Sequence, residues 1–228
     1  MGFSTAKVYA LKENSAYINQ EESRKALPEA IPSFPQPNSQ AGDKIAVPVC
    51  MPLSEQIDAA LAANYPESWW QSLLEKHIPL LLPGYVQCFS KINIGIGRTK
   101  FPDFLLQTQD GYLDVLEIKR PDTELFTKDN NHDNYSFSKV LSNAISQVNR
   151  YVEETQKHCQ DLQEYIQEKH KSNVRVLHPT GIILAGDRRN FSQHEKDDFR
   201  RLTRMLTNIK LITYDDLHFL CKRQETSN

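Results

Sequence analysis

The residues best equipped for chemistry are Asp103, Glu117 and Lys119, and the reason lies in the segment Tyr112-Leu113-Asp114-Val115-Leu116-Glu117-Ile118-Lys119. With the two-residue period of a strand, Leu116 and Ile118 fall on one face, while Leu113, Val115, Glu117 and Lys119 fall on the other. A strand apolar on both faces belongs inside a sheet, where a carboxylate and an ammonium are costly unless paired or bound to a metal. Upstream, Phe101-Pro102-Asp103-Phe104 opens a second apolar run, and Gln109-Asp110-Gly111 between the two runs suits a hairpin turn. Such a hairpin carries Asp103 toward Glu117. Two converging carboxylates repel each other and a divalent cation relieves the repulsion; hard oxygen ligands with retained waters suit Mg2+, with Mn2+ as its substitute. Lys119, on the Glu117 face, then stands where it can orient a water or stabilise charge building on a phosphate. This is equipment for metal-assisted phosphodiester hydrolysis. The plainer reading is a surface hairpin with an ordinary ion pair, since a Pro-Asp dipeptide and a Glu-x-Lys tripeptide are each common.

Other residues carry weaker signals. Glu67 follows a helix-opening proline, where any carboxylate gains from the helix dipole, although its alignment with Trp70 and Leu74 turns it inward. Gly95-Ile96-Gly97-Arg98 resembles a phosphate-binding loop only at first glance, because no helix follows it. A turn that delivers Arg98 and Lys100 toward nucleic acid fits better, with Arg120 beside the Glu-x-Lys element as a third cation. Arg200, Arg201 and Arg204 share their segment with Glu195, Asp197 and Asp198, which reads by default as a solvated mixed-charge face.

The elements that must position these residues follow from periodicity. Ser54 is placed to cap a helix over 54–63, and Pro66 opens a second one in which Trp70, Leu74, Ile78 and Leu81 recur at helical spacing until Pro79 bends or ends it. Strands over 85–94, 104–108 and 112–119 make a meander. The polar stretch TKDNNHDNYS reads as a loop. A long amphipathic helix over 137–170 lays its apolar stripe on the sheet. At ~1.5 Å per residue it would reach ~50 Å, so its far half is expected to protrude, kink or pair with another chain. A buried strand over 180–186, a helix over 192–208, a strand over 210–214 and a helix over 215–222 complete the order.

The chain of 228 residues, 39% apolar and 25% charged, is expected to hold one main domain over 53–228 behind a Pro-rich linker over 1–52, where ALPEAIPSFPQPNSQAGDK shows no apolar periodicity. With 27 basic against 29 acidic residues the net charge is −2, which excludes a globally basic nucleic-acid binder but not a local patch. Four scattered cysteines indicate neither a disulfide framework nor a zinc site. The longest apolar run, IPLLLP, is far short of the ~20 residues of a membrane span. A cytoplasmic protein without a membrane anchor is the expectation.

Pro102-Asp103, thirteen intervening residues and Glu117-Ile118-Lys119 together resemble the PD-(D/E)xK signature of restriction-endonuclease-like nucleases. The wider pattern, PESWWQSLLEKHIPLLL, GRTKFPDFLL, DVLEIKRPDTELF, ISQVNRY, GIILAG and LITYDDL, is similar to the Shedu family of bacterial antiviral nucleases. The resemblance implies an α/β restriction-endonuclease-like core, with a mixed sheet that carries a meander and is flanked by helices. It implies a Mg2+-dependent DNA endonuclease in antiphage defence, acting as a homo-oligomer; from the glycine stretch over 95–98, which no helix follows, no nucleotide cofactor is expected. Asp103 and Glu117 would be metal ligands, with Glu67 supporting them, and Lys119 would orient water and stabilise the pentacovalent phosphate. Gln147 and Tyr151 match a Q-x-x-x-Y element, one helical turn apart and near substrate, although Tyr151 also belongs to the apolar stripe. The rival reading is a catalytically silent module of the same fold that binds DNA or protein and self-associates through the helix over 137–170.

Overall fold

A computed structural model of the chain describes residues 51–95, 100–129 and 134–226. The chain divides into Met1–Val47 and Pro48–Asn228, and all described residues lie in the second unit. The expected linker over 1–52 lies, apart from its last two residues, outside them.

The meander forms as the alternation requires. Strands β1 (Tyr85–Ser90), β2 (Phe104–Thr108) and β3 (Leu113–Ile118) pair antiparallel, with Phe104 opposite Leu116 and Leu105 opposite Val115. Strands β6 (Gly181–Leu184) and β7 (Ile209–Ile212) add to β3 in parallel, which makes a mixed five-stranded sheet in the order β1-β2-β3-β6-β7. All six residues of β3 are buried, as befits its central place. The carboxyl ends of β3, β6 and β7 share one edge, the usual place for a site in a sheet of this kind.

Helices cover both faces. On one side α1 (Leu53–Ala62), α2 (Glu67–Leu81) and α6 (Tyr214–Glu225) pack Ile57, Trp70, Leu74, Ile78, Tyr214 and Leu217 against Phe104, Leu106, Leu116, Ile118, Ile182 and Leu184. On the other, α3 (Lys139–Lys157), α4 (Cys159–His170) and α5 (Gln193–Thr203) cover Leu105, Leu113, Val115, Ile183 and Ile209. The face assignment read from β3 therefore holds, Leu116 and Ile118 against Leu113 and Val115. None of the six helices is long and apolar enough to cross a membrane among the described residues.

Three expectations need correction. Ser54 does not cap α1: Pro52 precedes that helix, and the Ser54 N–H and hydroxyl both donate to the Glu225 carboxylate, which ties α1 to α6. The first strand stops at Ser90 rather than running to 94, because Lys91 turns the chain at φ 59°. The polar stretch over 127–136 is not a plain loop: Phe126–Asp129 (β4) and Asn134–Phe137 (β5) form a small antiparallel sheet. Its apolar side is an aromatic cluster in which Phe126 meets Tyr135, Phe137, Phe191 and Phe199.

Of the outcomes its length allowed, the long helix takes the kink: it is two helices broken at His158 (φ −106°, ψ 29°). The break lets each half face the sheet. Leu141, Ala144 and Val148 of α3 pack on Ile183 and Ala185, while Leu162 and Ile166 of α4 pack with Phe89, Leu105, Leu113 and Val115. The apolar stripe is thus spent on the sheet, as its periodicity requires. Gly181 marks a close approach, since a Cβ there would overlap Val148 Cγ1. Any larger residue would push α3 off β6.

Candidate active site

Asp103, Glu117, Lys119 and Glu67 come together at the carboxyl end of β3. Asp103 precedes β2 and, by the register Phe104–Leu116, stands across from Glu117. Its Oδ2 accepts from the Ile118 N–H at 2.6 Å, so a backbone group of β3 holds the carboxylate in place. Glu117 is 4% exposed and its Oε1 accepts from Lys119 Nζ at 2.6 Å. Glu67, the first residue of α2, faces the group from the other layer.

Asp103 and Glu67 bias the titration of their acidic neighbours. Burial pushes Glu117 up to about 7, and the Asp103 carboxylate, then Glu67, push the same way against the pull of Lys119. Burial also raises Asp103, opposed by the Ile118 N–H and by Lys119. Glu67 is raised by burial and then by Asp103. Burial works against the charge on Lys119, but its bond to Glu117 and the charges of Glu117, Glu67 and Asp103 outweigh it, so the ammonium keeps its proton. Three carboxylates thus crowd one cation.

The backbone at Lys119 is fixed on both sides. Its N–H donates to the Leu184 carbonyl at 2.8 Å, and its carbonyl accepts from the Tyr214 hydroxyl at 2.6 Å. Burial drives the Tyr214 hydroxyl far above its ordinary range, so it remains a donor. Gly186 supports the same edge at φ +68°, with its N–H on the Arg120 carbonyl and its carbonyl accepting from the Tyr214 N–H. Only glycine adopts that backbone without strain.

The remaining sequence candidates are placed differently. Gln147 Nε2 donates to the Tyr151 hydroxyl at 2.8 Å on the helix that covers the Glu117 face of β3, and no hydrogen bond joins the pair to Asp103, Glu117 or Lys119. Lys100 is committed to Glu154 at 2.7 Å rather than held free for nucleic acid. Arg120 is exposed and paired with Asp122 at 2.9 Å, next to the site. Arg98 lies outside the described residues. On α5 the acids are largely taken up within the element: Asp198 binds Arg201, Asp197 accepts from Gln193, and Glu195 serves the N-cap Ser192.

Two residues of the site escaped the sequence reading. Gln71 Nε2 donates to Asp103 Oδ1 at 2.8 Å and lies 3.5 Å from Glu67 Oε1; its signal was the four-residue spacing from Glu67. Tyr214, inside LITYDDL, had no local signal beyond its apolar setting.

Among the described residues no group of three His, Cys, Asp or Glu side chains is set to hold a metal ion unaided. Magnesium does not require one, since it is commonly held by one or two carboxylates and keeps several waters. The hard-oxygen donors Asp103 and Glu117, the first of which raises the pKa of the second, fit such an ion. Among curated proteins nothing matches the chain. The family model described as Shedu protein SduA, C-terminal, matches residues 64–218, a span that contains every element of the site, and the chain belongs to that family.

Proposed function

We propose that the chain is a Mg2+-dependent DNA endonuclease of the PD-(D/E)xK type, with the restriction-endonuclease-like fold, that acts in antiphage defence. The observation that carries this reading is the convergence of Asp103, Glu117 and Lys119 at the carboxyl end of an internal strand, where burial and mutual repulsion make them unfavourable without a function. Family membership supports the defence role.

Asp103 and Glu117 would hold the metal, with Glu67 at its margin. The bound ion would supply a Lewis acid for the phosphate and lower the pKa of a water. Asp103 is oriented by the Ile118 N–H and by Gln71. Lys119 Nζ retains its proton in the carboxylate cluster and presents positive charge where the phosphate gains negative charge. Arg120, exposed beside the site, is the nearest cation for the DNA backbone, and Lys100 serves it only by releasing Glu154.

The test is cleavage of linear, nicked and supercoiled plasmid by wild type and Lys119→Ala, with Mg2+ or EDTA. Wild type should cut only with Mg2+, and the variant should lose roughly 10²- to 10³-fold in rate, the scale of removing a main charge stabiliser. Well-folded wild type that cuts none of these with Mg2+ would contradict the proposal.

A further inference from the structure

We infer that Gln71 is a positioning residue that holds Asp103 and Glu67 together as a ligand unit for a divalent cation, an assignment that rests on the hydrolytic reading above. Gln71 lies one turn after Glu67 on α2 and is half-buried, which puts both side chains on one face of the helix. Its Nε2 is 2.8 Å from Asp103 Oδ1 and 3.5 Å from Glu67 Oε1, while the Ile118 N–H holds Asp103 Oδ2 at 2.6 Å. Each oxygen of Asp103 therefore has its own donor, one from a helix and one from a strand. Together they fix the plane of the carboxylate.

The chemistry of the amide explains the choice of residue. A glutamine has two N–H donors on nitrogen and an acceptor oxygen, and only the nitrogen end can face two carboxylates. Asp103 and Glu67 repel each other. An arginine or lysine between them would relieve the repulsion but cancel the charge that attracts a divalent cation. The amide joins the two acids and adds no charge of its own. Groups that orient metal-ligating carboxylates in this way typically matter 10- to 100-fold for metal affinity or activity.

A purely architectural role fits less well, because both contacts of the Gln71 side chain end on carboxylates of the site rather than in the core. Gln71→Leu keeps the size of the side chain and removes the donors, and Gln71→Ala serves as a second variant should leucine pack badly. The full-length protein, stripped of metal, would be titrated with Mg2+ and Mn2+ in a calorimeter without DNA. Its melting temperature in EDTA and its cleavage as a function of Mg2+ and of DNA would be measured alongside. The expected result is roughly 10- to 100-fold weaker metal binding. The Mg2+ requirement of cleavage should rise to match, with KM for DNA and the metal-free melting temperature unchanged.

Unchanged metal affinity with a lower metal-free melting temperature would make Gln71 structural and overturn the assignment. Wild type that binds metal and cuts DNA, matched by both variants, would overturn the assignment alone. Wild type that binds no metal would remove the assignment and the hydrolytic reading together.

Discussion

Two carboxylates on β3, three residues apart and both buried, have opposite surroundings. Asp114, at the amino end, is 9% exposed and meets neutral donors: the Tyr85 hydroxyl at 2.7 Å on Oδ2 and the Thr180 N–H at 2.6 Å on Oδ1. These bonds tie the start of β1 and the entry to β6 to the central strand. Glu117, at the carboxyl end, meets one lysine and two further acids, and is pushed up to about 7. Burial alone does not distinguish a site from a structural lock. The sign and number of the surrounding charges do, because the fold gains nothing from gathering acids that repel.

The sharpest way to break that contrast is to neutralise each acid in turn. Glu117→Gln should reduce cleavage by roughly 10²- to 10³-fold, as for Lys119→Ala, while leaving stability at pH 7.5 unchanged or improved. Asp114→Asn should do the reverse. The new amide turns a donor toward Tyr85 or Thr180, and leaving a buried donor unsatisfied costs about 1–3 kcal/mol. At roughly 2–4 °C per kcal/mol for a unit of this size the melting temperature should fall by several degrees, with cleavage per folded molecule retained. Plasmid assays and thermal melts on the two variants decide it. Loss of chemistry in Asp114→Asn at full stability would show that the lock belongs to the site.

The same contrast predicts an unusual pH dependence. A glutamate ordinarily titrates near 4.5, and Glu117 in the folded chain titrates near 7. Between these values the folded state holds a proton that the unfolded state has released, so stability from this group is present below about pH 4.5 and lost as pH rises through 7. The full loss is on the order of 3 kcal/mol. Metal-free wild type should therefore lose melting temperature from pH 5 to 7.5 relative to Glu117→Gln, in which the other titrating groups are common to both. Parallel curves would mean that Glu117 ionises freely, and the crowding argument would fail.

Much of this was legible because the governing pattern is local. Alternation gave the two faces of β3, and the Gln-Asp-Gly turn fixed the register that sets Asp103 across from Glu117. What was missed depends on contacts distant in sequence. The kink that the length of the helix allowed falls at His158, where the stripe passes from Ile183 and Ala185 to Leu105, Leu113 and Val115, a position that helical periodicity does not encode. The β4–β5 hairpin shows one apolar residue per strand end, Phe126 and Phe137, and polar residues hide the rest. Its structure comes from aromatic partners some sixty residues away, Phe191 and Phe199. Gln71 and Tyr214 are positioned by tertiary neighbours, and a glutamine one turn from a glutamate is ordinary on any helix.

The smallest expected effect separates the site from its scaffold. Tyr214 donates to the carbonyl of Lys119 at 2.6 Å, and the Lys119 N–H is held by Leu184 at 2.8 Å. Tyr214→Phe keeps the ring in the core, where it packs on Trp70 with centroids 4.5 Å apart, and removes only the donor. The buried carbonyl then loses a partner, at about 1 kcal/mol. Lys119 gains freedom, and since a displacement near 1 Å can reduce a rate by 10²-fold, a smaller shift should lower kcat by roughly 3- to 10-fold with KM for DNA unchanged. The pH profile should keep its shape, because burial holds the Tyr214 hydroxyl protonated throughout the working range. A thousandfold loss, or an altered profile, would place Tyr214 among the groups that touch the reacting phosphate. A loss of a few-fold would leave it behind the strand, and would make the end of β3 a site whose charges do the chemistry while a helix from the opposite layer sets their position.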